Sequence, residues 1–298
     1  MGVQGQNSIA TSLGIAIWED LQLSKLKLYF IFILRNIGLR KFADKVQFLM
    51  KTAQHSSENA QFIRERPFFA LPPQHLVFDA NHSVNWSDYY ETGKRQAKFL
   101  ANTYLQYRST GNKARILEWG VGPSRILRHM RENLEDLEVE LFGSDYNAES
   151  IKWCQKNLQG IAFVQNKLLP PTSFADSEFD FVYAISVFTH LSEHSQLAWF
   201  SEIPRILCDD GIFVFTTQGQ SYRDLLTLRE RSSFDQHQLV VRSSDCEGKK
   251  LYSTFASRRC VENLMSRFDM RVLSWTPGPD SGFSQDLWIL KKSYLNHR

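Results

Sequence analysis

The stretch ILEWGVGPSRILRHM, Ile116 to Met130, decides how the chain folds. With Arg115 ahead of it, RILEW is a short apolar run that stops at Gly120, so it reads as a buried strand. Gly120 and Gly122 open a turn, and Ile126, Leu127 and Met130 follow at helical spacing, which predicts a helix over residues 124–133. Glycine in such a turn lets the backbone approach a ligand closely, because no Cβ intervenes. Any tight strand-to-helix turn also uses glycine, so the Gly-x-Gly pair alone is a weak signal.

The same alternation continues outward. Further strands are predicted over residues 139–144, 161–165, 179–185 and 211–217. Between them Asn147 can cap a helix whose Ile151, Cys154 and Leu158 share a face. Ser192 can cap another that carries Leu197, Phe200, Ile203 and Leu207. Strands alternating with helices at this spacing indicate a parallel sheet covered on both faces. The tail differs: a helix near residues 261–268 and a strand over 270–275 precede the turn signals Pro277, Gly278, Pro279 and Gly282. A last strand over 286–291 then suggests an antiparallel hairpin at the sheet edge. Residues 1–80, rich in helix formers and aromatics and ending near Pro67 to Pro73, read as an N-terminal helical extension; residues 81–298 read as the α/β domain.

Asp145 falls at the end of the second predicted strand. An acidic side chain there can accept hydrogen bonds from both hydroxyls of a ribose, or can simply favour the N-terminus of the next helix. Strand, glycine turn, helix, strand and acid together describe a nucleoside-binding half-fold. Two ligands fit it, a nicotinamide dinucleotide and S-adenosylmethionine. The dinucleotide fingerprint needs a third glycine where this chain has Arg125. Glu118, two residues before Gly120, suits the second ligand, because a carboxylate at the strand tip can hold a methionine ammonium group.

On these residues the chain resembles the class I S-adenosylmethionine-dependent methyltransferases of the broad small-molecule type, over roughly residues 85–291. The resemblance implies an α/β fold: a Rossmann-like, doubly wound, seven-stranded sheet, mostly parallel, with an antiparallel C-terminal hairpin. The family's acidic residue followed by GxGxG matches Glu118, Gly120 and Gly122, with Ser124 in place of the third glycine. Asp145 matches the ribose-binding acid. The stretch from Phe163 to Leu191 resembles the next motifs, which implies that Asn166 and Leu168 lie beside the adenine. Ile185, Ser186 and Phe188 would line the methionine and acceptor pocket. In ILCDDGIFVFTT, Asp209 and Asp210 replace the family's usual Pro-Gly, so a variant turn is expected there.

The sulfonium of S-adenosylmethionine is already an activated methyl donor, so the protein must mainly align donor and acceptor and exclude water. A general base helps if the acceptor is a hydroxyl or a protonated amine. His190, just past the fourth strand, is the catalytic candidate and His194 the second; either could instead only pack or bond locally. Tyr89 and Tyr90 could cover the methionine end or belong to the core. AISVFTHL lacks the polar-Pro-Pro-aromatic motif of amino-directed DNA methyltransferases, and no cysteine after a proline suits a cytosine-directed enzyme. The expected acceptor is a small molecule, a sugar or a glycan. Residues 221–255, with Tyr222, Arg223, His237, Arg242 and Tyr252, exceed a plain strand connection and could shape acceptor recognition. A catalytically inactive, methyltransferase-like binding module and a nicotinamide-dependent oxidoreductase stay as the alternatives.

Bulk properties narrow the partners. With 298 residues and a formal net charge of +3 from well-mixed charges, the chain shows no nucleic-acid footprint. Cys154, Cys208, Cys246 and Cys260 are scattered, without a CxxC pair, so no metal site is expected and the thiols read as reduced, in keeping with a cytoplasmic location. No apolar run is long enough to span a bilayer, and the first residues lack the basic start of a secretory signal. Gly2 is followed by Gln6 where a myristoylation motif needs Ser or Thr. From Leu23 to Leu39 a dense apolar run carries Lys25, Lys27 and Arg35. It reads either as a weak contact with the inner membrane face or as a packing helix, and the lack of one clean stripe favours packing.

Overall fold

The computed structural model describes residues 40–109, 111–243 and 245–292. The amphipathic stretch read at Leu23 to Leu39 lies outside these residues. Two units are distinguished, 1–50 and 51–298. In the first, the described residues open the helix α1 (Arg40–Gln54). The second begins with α2 (Ser56–Glu65), α3 (Gln74–Asn81) and the long α4 (Trp86–Tyr107). The described residues ahead of β1 are therefore mainly helical, and α4 starts where the Asn85 side chain accepts from the Asp88 N–H. Buried Asn59 ties α2 to that start: its amide donates to the Val84 carbonyl at 2.8 Å and accepts from the Trp86 N–H at 2.9 Å.

The sheet then forms from β1 (Lys113–Trp119), β2 (Glu138–Asp145), β3 (Ile161–Gln165), β4 (Phe179–Ala184), β5 (Leu207–Thr217), β8 (Met270–Thr276) and β9 (Asp286–Lys292). Its order is β3-β2-β1-β4-β5-β9-β8, with β1 to β5 parallel and β9 antiparallel to both neighbours. The terminal hairpin thus sits on the edge, as its turn signals predict. Side chains alternate across the pleat. Ile116, Phe181, Tyr183, Ile212 and Val214 face Leu100, Tyr104 and Ile151. Leu117, Val182, Phe213 and Phe215 face Phe200, Ile203 and Val261 on the other side. The central strands β1, β4, β5 and β9 are buried on both faces, which is why they read as near-continuous apolar runs, whereas the edge strands β3 and β8 are partly exposed.

Between the strands lie α5 (Ala148–Asn157), α6 (Glu193–Ile206) and α8 (Arg258–Met265). Asn147 caps α5 and Ser192 caps α6, as expected. The helix expected over 124–133 does not form. Two short 3-10 turns, Leu127–His129 and Arg131–Asn133, take its place. Ser124 sits at φ 61, a left-handed conformation that an α-helix cannot include. Space is the second reason, because α4 packs so closely here that a Cβ on Gly93 would overlap the Arg125 carbonyl. At the start of β5, Asp210 adopts φ 62 in the position of the family's glycine, and Lys291 Nζ lies 3.2 Å from its carboxylate.

Residues 220–255 fold as an insertion between β5 and α8. They comprise a 3-10 turn (Gln220–Leu225), α7 (Leu228–Asp235) and a two-stranded ribbon of β6 (Val240–Ser243) and β7 (Tyr252–Phe255). Leu226, Phe234, Val240 and Phe255 give it a small core of its own.

Candidate active site

The C-terminal tips of β1 to β5 share one edge of the sheet, where loops of an open α/β sheet leave a crevice for ligands. On that edge the β1 turn folds against β2: Gly120 N and Val121 N both donate to the Ser144 carbonyl, at 2.8 and 3.0 Å. Gly120 has φ 76, and a Cβ there would also overlap the Val187 side chain. Gly122 has φ 48 and faces only the Ala80 methyl of α3 at 3.5 Å. The first glycine therefore admits the loop after β4, and the second keeps the backbone open.

Asp145 binds this turn directly. One carboxylate oxygen accepts from Gly122 N at 2.8 Å and the other from Asn147 N at 2.8 Å. Burial raises its pKa, and the backbone donors oppose that shift. Each oxygen keeps a second lone-pair direction, which a pair of ribose hydroxyls can use. Asn166 is next along the edge, its N–H donating to the Asp145 carbonyl at 3.0 Å. Its side-chain Nδ2 donates to the Lys167 carbonyl at 2.6 Å, while its Oδ1 is buried without a partner. Leu168 lies beside it, half-buried, its carbonyl accepting from Trp199 Nε1 at 2.9 Å.

Glu118 is more deeply placed than a strand-tip ligand need be. It is 4% exposed, and its Oε2 accepts from Leu127 N at 2.9 Å and from the Tyr183 hydroxyl at 3.1 Å. Register explains the second contact, since Glu118 pairs with Tyr183 across β1 and β4. Burial pushes its pKa up to about 8, against the pull of Tyr183 and Arg125. A buried carboxyl poised this way gains by meeting a cation.

Beyond β4 the edge holds Ile185, Ser186 and His190. Ile185 packs on the core. Ser186 adopts φ 60 and donates its N–H to Thr216 Oγ1 at 2.8 Å. Phe188 is wholly buried among Trp119, Phe200 and Phe215, so it serves the core. His190 ends a 3-10 turn (Phe188–His190), and its Nδ1 lies 2.7 Å from the Tyr252 carbonyl. A carbonyl only accepts, so Nδ1 carries the proton and Nε2 keeps the lone pair. Burial lowers its pKa, which keeps the ring neutral near pH 7. His194 is exposed in the first turn of α6. Tyr89 is buried with its hydroxyl on the Pro123 carbonyl at 2.8 Å, bracing the glycine turn; Tyr90 packs on Phe62, Phe69 and His129.

Sequence reasoning missed the cover of this edge. Tyr146, directly after Asp145, donates its hydroxyl to the Gly248 carbonyl at 2.9 Å, and Gly248 N donates to the His190 carbonyl at 2.9 Å. Glu247 accepts from Ser192 N at 2.6 Å, and Lys250 Nζ lies 3.3 Å from Asp79 and over the Phe78 ring. Residues 247–250 thus strap the insertion across the tips of β2 and β4 to α3. Adjacency to Asp145 was the one signal available for Tyr146. The insertion's arginines have internal roles: Arg223 is bidentate on Asp235 and Arg242 on Glu230. His237 lies 3.0 Å from Ser257 Oγ.

The family model of a methyltransferase domain matches residues 117–215, from β1 through β5. Residues 117–215 therefore carry a methyltransferase domain. The enzyme's fold is similar to an S-adenosylmethionine-dependent methyltransferase from Mesorhizobium loti, at 14% identity and TM-score 0.50, over 66% of this chain and 98% of that one. A Methanosarcina mazei methyltransferase aligns at 15% identity and TM-score 0.48, covering 64% of this chain and 97% of that one. A Galdieria sulphuraria structure described as a putative sarcosine dimethylglycine methyltransferase aligns at 15% and 0.47, over 67% and 86%. No curated protein matches the sequence. Among the described residues no helix is long and apolar enough to cross a membrane, and no group of three or more His, Cys, Asp and Glu side chains is placed to hold a metal ion.

Proposed function

We propose that this methyltransferase acts on a small polar molecule, a sugar or a glycan, with residues 81–298 as its catalytic domain and the preceding helices as its extension. The observation that carries the cofactor placement is the buried, partnerless Asn166 Oδ1 next to Asp145. A buried acceptor without a donor is costly, and an adenine amino group is the donor that a nucleoside on Asp145 would bring. Gly120 and Gly122 let the backbone come close, Leu168 offers an apolar surface, and Glu118 lies beneath the turn as a buried carboxyl whose ionised form an ammonium group would favour.

When bound, S-adenosylmethionine supplies a methyl group already activated on a positively charged sulfur. The chain's part is alignment and proton removal. His190, with Nδ1 fixed on the Tyr252 carbonyl, presents Nε2 as the base. Nε2 would accept the proton of an acceptor hydroxyl held there. His194, exposed on α6, is the second candidate for that role and the weaker one, since nothing fixes its ring.

Calorimetric titration with S-adenosylmethionine, S-adenosylhomocysteine and oxidised nicotinamide dinucleotides tests the reading. Binding of the two sulfur nucleosides in the micromolar range or tighter, with none of the dinucleotides, is the expected result. No binding of either sulfur nucleoside would overturn the site.

A further inference from the structure

A second polar cluster stands on the same sheet edge, and the chemistry above leaves it unused. It joins residues far apart in sequence: Ser186 after β4, Thr216 at the end of β5, Gln218 and Tyr222 just beyond, and Gln285 immediately before β9. Thr216 Oγ1 accepts from Ser186 N at 2.8 Å and donates to Gln285 Oε1 at 2.6 Å. Ser186 Oγ donates to the same Oε1 at 3.1 Å. Two hydroxyl donors on one oxygen fix which way the amide lies, with Nε2 on its other side. Burial raises the pKa of the half-buried Tyr222 hydroxyl, the nearby Gln285 amide opposes that shift, and the Asp286 carboxylate adds to it. Gln218 Oε1, four residues before Tyr222, is buried without a partner.

Such an arrangement is expensive for a purely structural role. Ser186 holds a left-handed backbone, φ 60, that serine avoids. The orphaned Gln218 oxygen adds a desolvation cost. Ser186 lies next to the β1 turn, since the Val187 side chain fills the space above Gly120.

We propose, on the footing of the methyltransferase reading above, that Gln285, Tyr222 and Gln218 form the acceptor-binding subsite, and that it selects a neutral acceptor bearing hydroxyl or amide groups. The amide and phenol supply donors, and Gln218 Oε1 supplies an acceptor; a hydroxyl or amide is both at once and satisfies each. An anionic acceptor finds Arg223 and Arg242 each with two nitrogens already on a carboxylate, Arg231 on the Leu226 and Asp224 carbonyls, and Arg229 turned to solvent on α7. A cationic acceptor would face two donors, and the carboxylate nearest to them, Asp286, is already engaged by Trp275 Nε1 and Gly278 N.

The test uses full-length protein saturated with S-adenosylhomocysteine and ligand-observed NMR. The probes are methyl α-glucoside and N-acetylglucosamine as neutral compounds, glucuronate and benzoate as anions, and glucosamine as a cation. The expected result is contact with the neutral probes, at least tenfold weaker contact with the charged ones, and loss of the neutral signal in Gln285→Leu and Tyr222→Phe with S-adenosylhomocysteine affinity unchanged. Tyr222→Phe removes one oxygen and keeps the ring, so it reports even if Gln285→Leu fails to fold. Preference for a charged probe, no binding of the neutral ones, or a neutral signal that survives Tyr222→Phe would overturn the subsite. Failure of the wild type to bind S-adenosylhomocysteine would instead overturn the underlying reading.

Discussion

The two halves of the strand edge are built from different materials. At the tips of β1, β2 and β3, backbone groups do most of the joining: Gly120 N and Val121 N on the Ser144 carbonyl, Gly122 N on Asp145, Asn166 N on the Asp145 carbonyl. At the tips of β4, β5 and β9 the joints are side-chain oxygens, with Gln285 reaching across to Ser186 and Thr216. Backbone geometry leaves little freedom, so the first half suits a ligand that never changes. Side chains can be exchanged without moving a strand, so the second half suits a partner that differs from one relative to the next.

That contrast can be broken most sharply at His190. Replacing it with Gln is expected to slow methyl transfer by roughly 10²- to 10⁴-fold, the usual range for a general base. Affinity for S-adenosylhomocysteine should stay as in the wild type, because His190 belongs to the acceptor half. Its lowered pKa fixes the sign of the pH profile. The neutral base survives to lower pH, so kcat/KM should fall on the acid side only below the ordinary imidazole value of about 6.5. An acid limb above that value would remove His190 from the role.

Asp145→Ala probes the other half. Two charge-assisted contacts to a ribose are lost, so cofactor affinity should drop on the order of 100-fold by calorimetry. A drop below tenfold would mean that Asp145 merely holds the glycine turn.

Glu118 lies under the boundary between the halves, and its pH dependence sharpens the comparison. Its folded-state pKa of about 8 exceeds the ordinary 4.5. In that window the folded protein keeps a proton that the unfolded chain has released. The site's contribution is therefore complete below 4.5 and is lost as pH rises through 8. Melting temperatures should fall with pH in the wild type more than in Glu118→Gln. If S-adenosylhomocysteine abolishes the difference, Glu118 faces the ammonium group; if the difference persists, the carboxyl serves the turn alone.

The smallest effect is expected at the strap. Lys250→Met removes an ion pair to a largely exposed Asp79, so cofactor dissociation should quicken by about two- to fivefold in stopped-flow displacement.

Much of the β1 to β3 half of the edge was legible because its residues lie on consecutive strand tips and its turn needs glycine at positive φ. The strand positions, the Asn147 and Ser192 caps and the terminal hairpin were legible from period and turn residues. The expected helix after Gly122 failed for a non-local reason, the close approach of α4 at Gly93, which periodicity does not contain. The strap was hidden for a similar reason. Gly248 and Lys250 belong to an insertion whose return path across Tyr146 and His190 no spacing rule specifies.

By itself the sequence determined the sheet class and the glycine turn followed by an acid, since each depends on neighbours a few residues apart; the methyltransferase reading came with the family resemblance. Only the tertiary structure decided which histidine has its ring fixed, that Glu118 is buried under Tyr183, and that Gln285 meets Ser186. Those are contacts between strands that adjoin in the sheet but not in the chain, and they exist only once hydrophobic burial has set the strand order.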